Sequence, residues 1–158
     1  MRTLILFFMA VSSLVMSAQT ENAATSKPIN PPFVLFISSK NTFALGSPIE
    51  MGIRIKNVST HEIRASAMNI DGFAISYTYD IRDQSGNKVA QKPFDQTHPG
   101  GGSILILKPG QNQGESTVIS AYYDLWPGRY TVQISKPVSD KPGAEVVRSN
   151  KISITVIP

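Results

Sequence analysis

The side chains able to do chemistry are few and scattered. There are two histidines, His61 and His98. His61 lies in the polar turn Ser59-Thr60-His61-Glu62 and His98 in a glycine-rich stretch, and neither stands in a His-Glu-x-x-His or other metal-ligand spacing. Serines and aspartates abound, but no strand-turn-helix elbow presents a nucleophile, and Ser103 simply follows Gly100-Gly101-Gly102. That glycine run lacks the Lys-Ser/Thr pair and the helix start of a phosphate loop, so it reads as backbone freedom. A catalytic site needs a positioned base and oxyanion donors, and nothing in the sequence announces them. The expectation is a protein that is not an enzyme. The chain has no cysteine, which excludes disulfides, thiolate nucleophiles and Cys-ligated metal. Asp80, Asp83, Ser85 and Asn87 place oxygens near one turn without EF-hand spacing, and Asp83 and Asn87 are read as shaping a hairpin. No cofactor and no metal is expected.

Partner binding remains. Tyr122-Tyr123-Asp124-Leu125-Trp126 packs three aromatics into five positions, and Trp and Tyr are the residue types that dominate binding hot spots. Tyr122, Tyr123 and Trp126 are therefore candidate partner-binding residues. The competing expectation is that Leu125 and one or two of these rings plug the end of the core. Phe94 and His98, in the irregular stretch 92–103, complete the candidate set. The expected partner is another protein or a cell-envelope component. Nucleic acid is not expected: the net charge is +4, but the 15 Lys and Arg form no basic stripe with interleaved aromatics.

The elements that must position these groups read as strands. Asp124-Leu125-Trp126-Pro127-Gly128 is a turn, since Pro127 fixes its own φ and Gly128 is conformationally free. From Tyr130 the chain alternates, with Tyr130, Val132 and Ile134 on one face and Thr131, Gln133 and Ser135 on the other, as in a half-buried strand. A Tyr just after such a corner predicts a tyrosine corner, its hydroxyl returning to backbone a few residues upstream. Ile49, Met51, Ile53 and Ile55 alternate over another strand, ended by the turn composition of Asn57-Val58-Ser59-Thr60. Phe43 and Leu45 are expected to point inward before the Gly46-Ser47-Pro48 turn. Residues 62–68 fit either a strand or one helical turn. Phe73, Ile75, Tyr77, Tyr79 and Ile81 predict one long strand, closed by a hairpin at Asp83-Gln84-Ser85-Gly86-Asn87 and a return over 88–91. Further strands are expected over 33–37, 104–107, 116–121 and at the C-terminal end, where Ile152, Ile154 and Val156 alternate. About eight short β segments and no amphipathic helix argue for an all-β, antiparallel immunoglobulin-like β-sandwich without a disulfide.

At the N-terminus, Met1-Arg2, an apolar run from Leu4 and the small pair Ser17-Ala18 have the form of a secretory signal peptide, cut after Ser17 or Ala18. The organisation expected is a signal peptide over 1–18, a disordered Ala/Ser/Thr/Pro tether over 19–32 and one sandwich domain over 33–158. The apolar run is short for a bilayer span of about 20 residues, so the mature protein is expected to be exported, to the periplasm or beyond, with no membrane span.

One order of motifs is familiar. Asn57-Val58-Ser59 is followed by Tyr77-Thr78-Tyr79-Asp80-Ile81-Arg82-Asp83-Gln84-Ser85-Gly86-Asn87-Lys88-Val89. Then come Leu107-Lys108-Pro109-Gly110-Gln111, Tyr123-Asp124-Leu125 and Pro127-Gly128-Arg129-Tyr130-Thr131-Val132. Across most of 49–156 this resembles the bacterial intracellular proteinase inhibitor (BsuPI-like) sandwiches and uncharacterised exported bacterial proteins with the same Leu-x-Pro-Gly and Pro-Gly-x-Tyr-Thr-Val turns. The resemblance implies the sandwich and, as a second functional expectation, inhibition of a protease; it matches no reactive loop, and the irregular 92–103 stretch is where such inhibition would be sought. A calcium- or carbohydrate-binding module is a third. The motifs are turns and strand starts, which speak for fold before activity.

Overall fold

The computed structural model describes residues 30–70, 73–93 and 101–158. The signal peptide and nearly all of the tether lie outside the described residues.

Alternation of apolar and polar residues builds the strands. In β1 (Phe33–Ser39), Phe33, Leu35 and Ile37 are buried. In β3 (Glu50–Asn57), Met51, Ile53 and Ile55 are buried. The two strands pair antiparallel with Leu35 opposite Ile55 and Ile37 opposite Ile53, so their apolar residues share one face. β8 (Asn112–Val118) flanks β3 on its other edge and completes a three-stranded sheet. The facing sheet is centred on β9 (Gly128–Pro137), which pairs with β6 (Thr78–Asp83) on one edge and with β10 (Val146–Arg148) and β11 (Ile152–Ile157) on the other. β2 (Thr42–Ala44) joins β11 as the single parallel pair of this sheet. A third sheet, β5–β4–β7, is built from β4 (Ile63–Ile70), β5 (Phe73–Ala74) and β7 (Gly101–Leu107). It lies beside β8, where the Ala74 N–H donates to Thr117 Oγ1 at 3.1 Å. The fold is an all-β immunoglobulin-like sandwich around one core, whose members include Phe73, Ile81, Val132, Ile134 and Ile154.

Among the described residues eleven strands result where the sequence suggested about eight. The additions β2, β5 and β10 are two or three residues long, too short for a period to show. Residues 62–68 resolve as strand. The long strand expected from Phe73 to Ile81 is broken: Ile75 and Ser76 turn the chain, because β5 pairs with β4 while β6 pairs with β9 in a different sheet. The return over 88–91 contributes only isolated bridges, Arg82 to Lys88 and Gln91 to Tyr123. Gly101, Gly102 and Ser103, read as loop, begin β7. Leu45 points outward, 47% exposed, because β2 ends at Ala44 and alternation ends with it.

Candidate functional site

The aromatic segment divides sharply. A single 3-10 turn (Ile119–Ala121) ends β8, and the chain then tucks Tyr122 and Tyr123 inward. The Phe73 ring stacks on Tyr79 at 4.7 Å between centroids and lies tilted on Tyr122 at 4.6 Å, while Tyr123 packs at 6.2 Å from Phe73 and 6.1 Å from Tyr79. Offset and tilted rings of this kind add to the stabilisation from burial alone. The Tyr123 hydroxyl donates to Gln91 Oε1 at 3.0 Å, and the Tyr79 hydroxyl to the Ala74 carbonyl at 2.9 Å. Burial pushes the Tyr123 phenol up to about 12 and raises those of Tyr79 and Tyr77 further, the last also through its hydrogen bond to Glu115. Of the three clustered candidates, Tyr122 and Tyr123 therefore belong to the core, together with Leu125.

Trp126 is the exception. Its side chain is 67% exposed on the corner between Leu125 and β9. The corner is held from beneath: the Tyr130 hydroxyl donates to the Trp126 carbonyl at 2.9 Å, which is the tyrosine corner that the spacing predicts. Just upstream, Lys92 Nζ lies 2.8 Å from Asp124 Oδ1, and the Lys92 N–H donates to the Tyr122 carbonyl at 2.8 Å. Beside Trp126 opens a cleft of about 220 Å³, lined by Leu45, Ile49, Ser120, Tyr123, Leu125 and neighbouring turn residues. Its far wall is the 44–47 turn, where Gly46 takes φ 79° and the Ser47 N–H and hydroxyl both donate to the Ala44 carbonyl. That left-handed φ suits glycine. The Leu45 N–H donates to the Ile157 carbonyl at 2.8 Å, which brings exposed Leu45 and Ile157 to the same end of the sandwich. The site is thus a ring on a braced corner beside a small, mainly apolar cleft. Leu45 was missed from sequence because its expected inward direction concealed it. Phe94 and His98 lie outside the described residues.

The acidic turn is self-contained. Asp83 Oδ1 accepts from the Ser85 and Asn87 N–H groups, both at 2.9 Å, and Asp80 pairs with Arg82 at 3.0 Å. These hairpin donors hold the Asp83 carboxyl below its ordinary range. Among the described residues, no group of three or more His, Cys, Asp or Glu gathers at metal-binding distance, and no helix is long and apolar enough to cross a membrane.

No protein-family model matches the chain, and no curated protein is similar to it. Among solved structures it is similar to a beta-glucosidase from Listeria innocua in complex with gluconolactone, at 14% identity and a TM-score of 0.42, over 78% of this chain and 16% of that one. It is also similar to a family 123 glycoside hydrolase from Clostridium perfringens, at 10% identity and a TM-score of 0.40, over 79% of this chain and 27% of that one. The chain spans less than a third of the length of either enzyme.

Proposed function

We propose that this protein is a non-enzymatic, exported binding module that holds a protein component of the cell envelope at the Trp126 end of its sandwich. One observation carries the reading: the largest side chain of the molecule is exposed on a corner that hydrogen bonds and the buried rings beneath it keep rigid. A rigid aromatic anchor loses little conformational entropy on docking, and a neighbouring apolar cleft offers the partner's own side chain a seat. Leu45 and Ile157 extend the apolar rim, and the Lys92–Asp124 pair supplies polar edge contacts.

The test is capture of envelope proteins by wild type and by Trp126→Ala. Trp126 contributes little to the core, so the variant should unfold within about 0.5 kcal/mol of wild type in urea. Capture of the specific partner should fall by about tenfold or more, the loss typical of an anchoring ring. Undiminished capture by a folded Trp126→Ala protein removes this corner from the interface and overturns the reading.

A further inference from the structure

The outer face of the β1–β3–β8 sheet carries an open hollow of about 880 Å³, which shares no lining residue with the Trp126 cleft. Register shows how it forms. Phe36, Arg54 and Gly114 stand in one row across the three strands, and Ser38, Gly52 and Ser116 in the next. Their chain neighbours Ile37, Ile53 and Ile55 are buried, so these rows face outward. Two glycines leave the floor as bare backbone. A Cβ on Gly52 would sit 3.2 Å from Ser38 Oγ, so any larger residue there would crowd the hollow. Glycine within a strand weakens it, and it recurs where a ligand or another backbone must approach closely.

The walls have a definite chemistry. Phe36 is 50% exposed, although a solvated sheet face gives a phenyl ring nothing to pack on. Arg54 and Lys56 project beside it from alternate positions of β3, about 7 Å apart along the strand. Neither makes an ion pair among the described residues. Glu115, the acidic residue of the lining, is engaged elsewhere: its Oε1 accepts the Tyr77 hydroxyl at 2.6 Å. The hollow therefore combines a flat apolar ring, two uncompensated cations, the hydroxyls of Ser38 and Ser116, and an accessible backbone floor.

We propose that this face binds an acidic polysaccharide, a chain of sugars bearing carboxylates. The Phe36 ring matches the C–H face of a pyranose, and Arg54 presents a planar fork to a carboxylate. Lys56 meets the charge of an adjacent sugar, and the serine hydroxyls pair with sugar hydroxyls. An extended polymer suits an open hollow on a sheet face. Single-stranded nucleic acid is less well served, since one ring provides no run of stacking platforms. The proposal does not rest on the Trp126 site.

Titration calorimetry of the full chain against polygalacturonate and against its fully methyl-esterified, uncharged counterpart tests it, with single-stranded DNA as a second polyanion. Saturable binding to polygalacturonate is expected, at least about tenfold tighter than to the ester and weakening with salt. Phe36→Ala and Arg54→Gln should each lose about tenfold, and Trp126→Ala should lose nothing. These outward substitutions leave the core intact, and an unchanged far-UV circular dichroism spectrum verifies folding of each variant. The proposal is overturned by absence of binding, by equal binding of acid and ester, by equal or tighter binding of DNA, or by polygalacturonate binding that survives Phe36→Ala.

Discussion

Asn57 shows how a single residue can hold a turn cluster together. It is fully buried, and both ends of its amide are paired. Nδ2 donates to the His61 carbonyl at 2.7 Å and the Leu107 carbonyl at 2.8 Å, while Oδ1 accepts from the Ser59 N–H and hydroxyl, both at 2.8 Å. Its backbone also receives the Gly110 N–H, which ties in the Lys108-Pro109-Gly110-Gln111 turn. Asn57→Leu strands these buried partners and should cost about 2–4 kcal/mol, read from the urea midpoint at unchanged slope. A loss below about 0.5 kcal/mol would show that water replaces the amide without penalty. The sequence marked Asn57-Val58-Ser59-Thr60 as the turn composition that ends the strand, and β3 does end at Asn57, but asparagines at such positions are usually solvated, so its burial was not legible. The same limit applied at Tyr122, Tyr123 and Trp126. Aromatics favour cores and interfaces alike, and only the three-dimensional position of Phe73 and Tyr79 decides which rings go inside.

Among the strands, β7 is the exposed liability. Among the described residues it pairs only with β4, and it carries Ile104 and Ile106 at 66% and 53% exposure with no charge or proline in Gly101–Leu107. Natural edges usually carry such a gatekeeper. Ile104→Lys should therefore raise the concentration at which the protein stays monodisperse in light scattering, with little change in stability; an unchanged threshold would place self-association elsewhere. The buried tyrosines make a second, alkaline prediction. Their folded pKa values lie above the ordinary 10.0, so the unfolded chain loses these protons first. Their stabilisation is complete below pH 10 and is lost as pH rises through the folded values. Lys136 acts with the opposite sign. Burial lowers its pKa, so its penalty is present at neutral pH and is relieved as pH climbs toward 10.5. Three tyrosines outweigh one lysine, and urea stability measured from pH 9 to 12 should fall. A flat or rising profile would mean that the rings admit solvent. Strand assignment was legible where alternation ran for five or more residues within a single sheet, as in β3, β9 and β11. It failed between β5 and β6, where both segments alternate but belong to different sheets.

At the scale of the molecule, the three sheets are joined by a polar tie invisible to periodicity. Lys136 of β9 donates to the Ser66 carbonyl of β4 at 2.8 Å and to the Ser76 carbonyl at 3.1 Å, with its ammonium 4.9 Å from the centre of the Tyr77 ring. Tyr77 in turn reaches Glu115 of β8. Residues 135–144 read as a Pro/Gly turn region in the sequence, so neither the extension of β9 through Lys136 nor the tie it makes between the sheets was legible there. The proposed function assigns the aromatic corner to the partner. Trp126 is the only tryptophan in the chain, so its fluorescence reports on that corner alone. The most direct measurement is therefore a titration of the protein with envelope protein fractions, following tryptophan emission and its quenching by acrylamide. The proposed function predicts emission typical of water-exposed indole in the free protein, then a saturable blue shift and loss of quenching on binding. Saturable binding that leaves emission and quenching unchanged, or no saturable binding by any fraction, would contradict it.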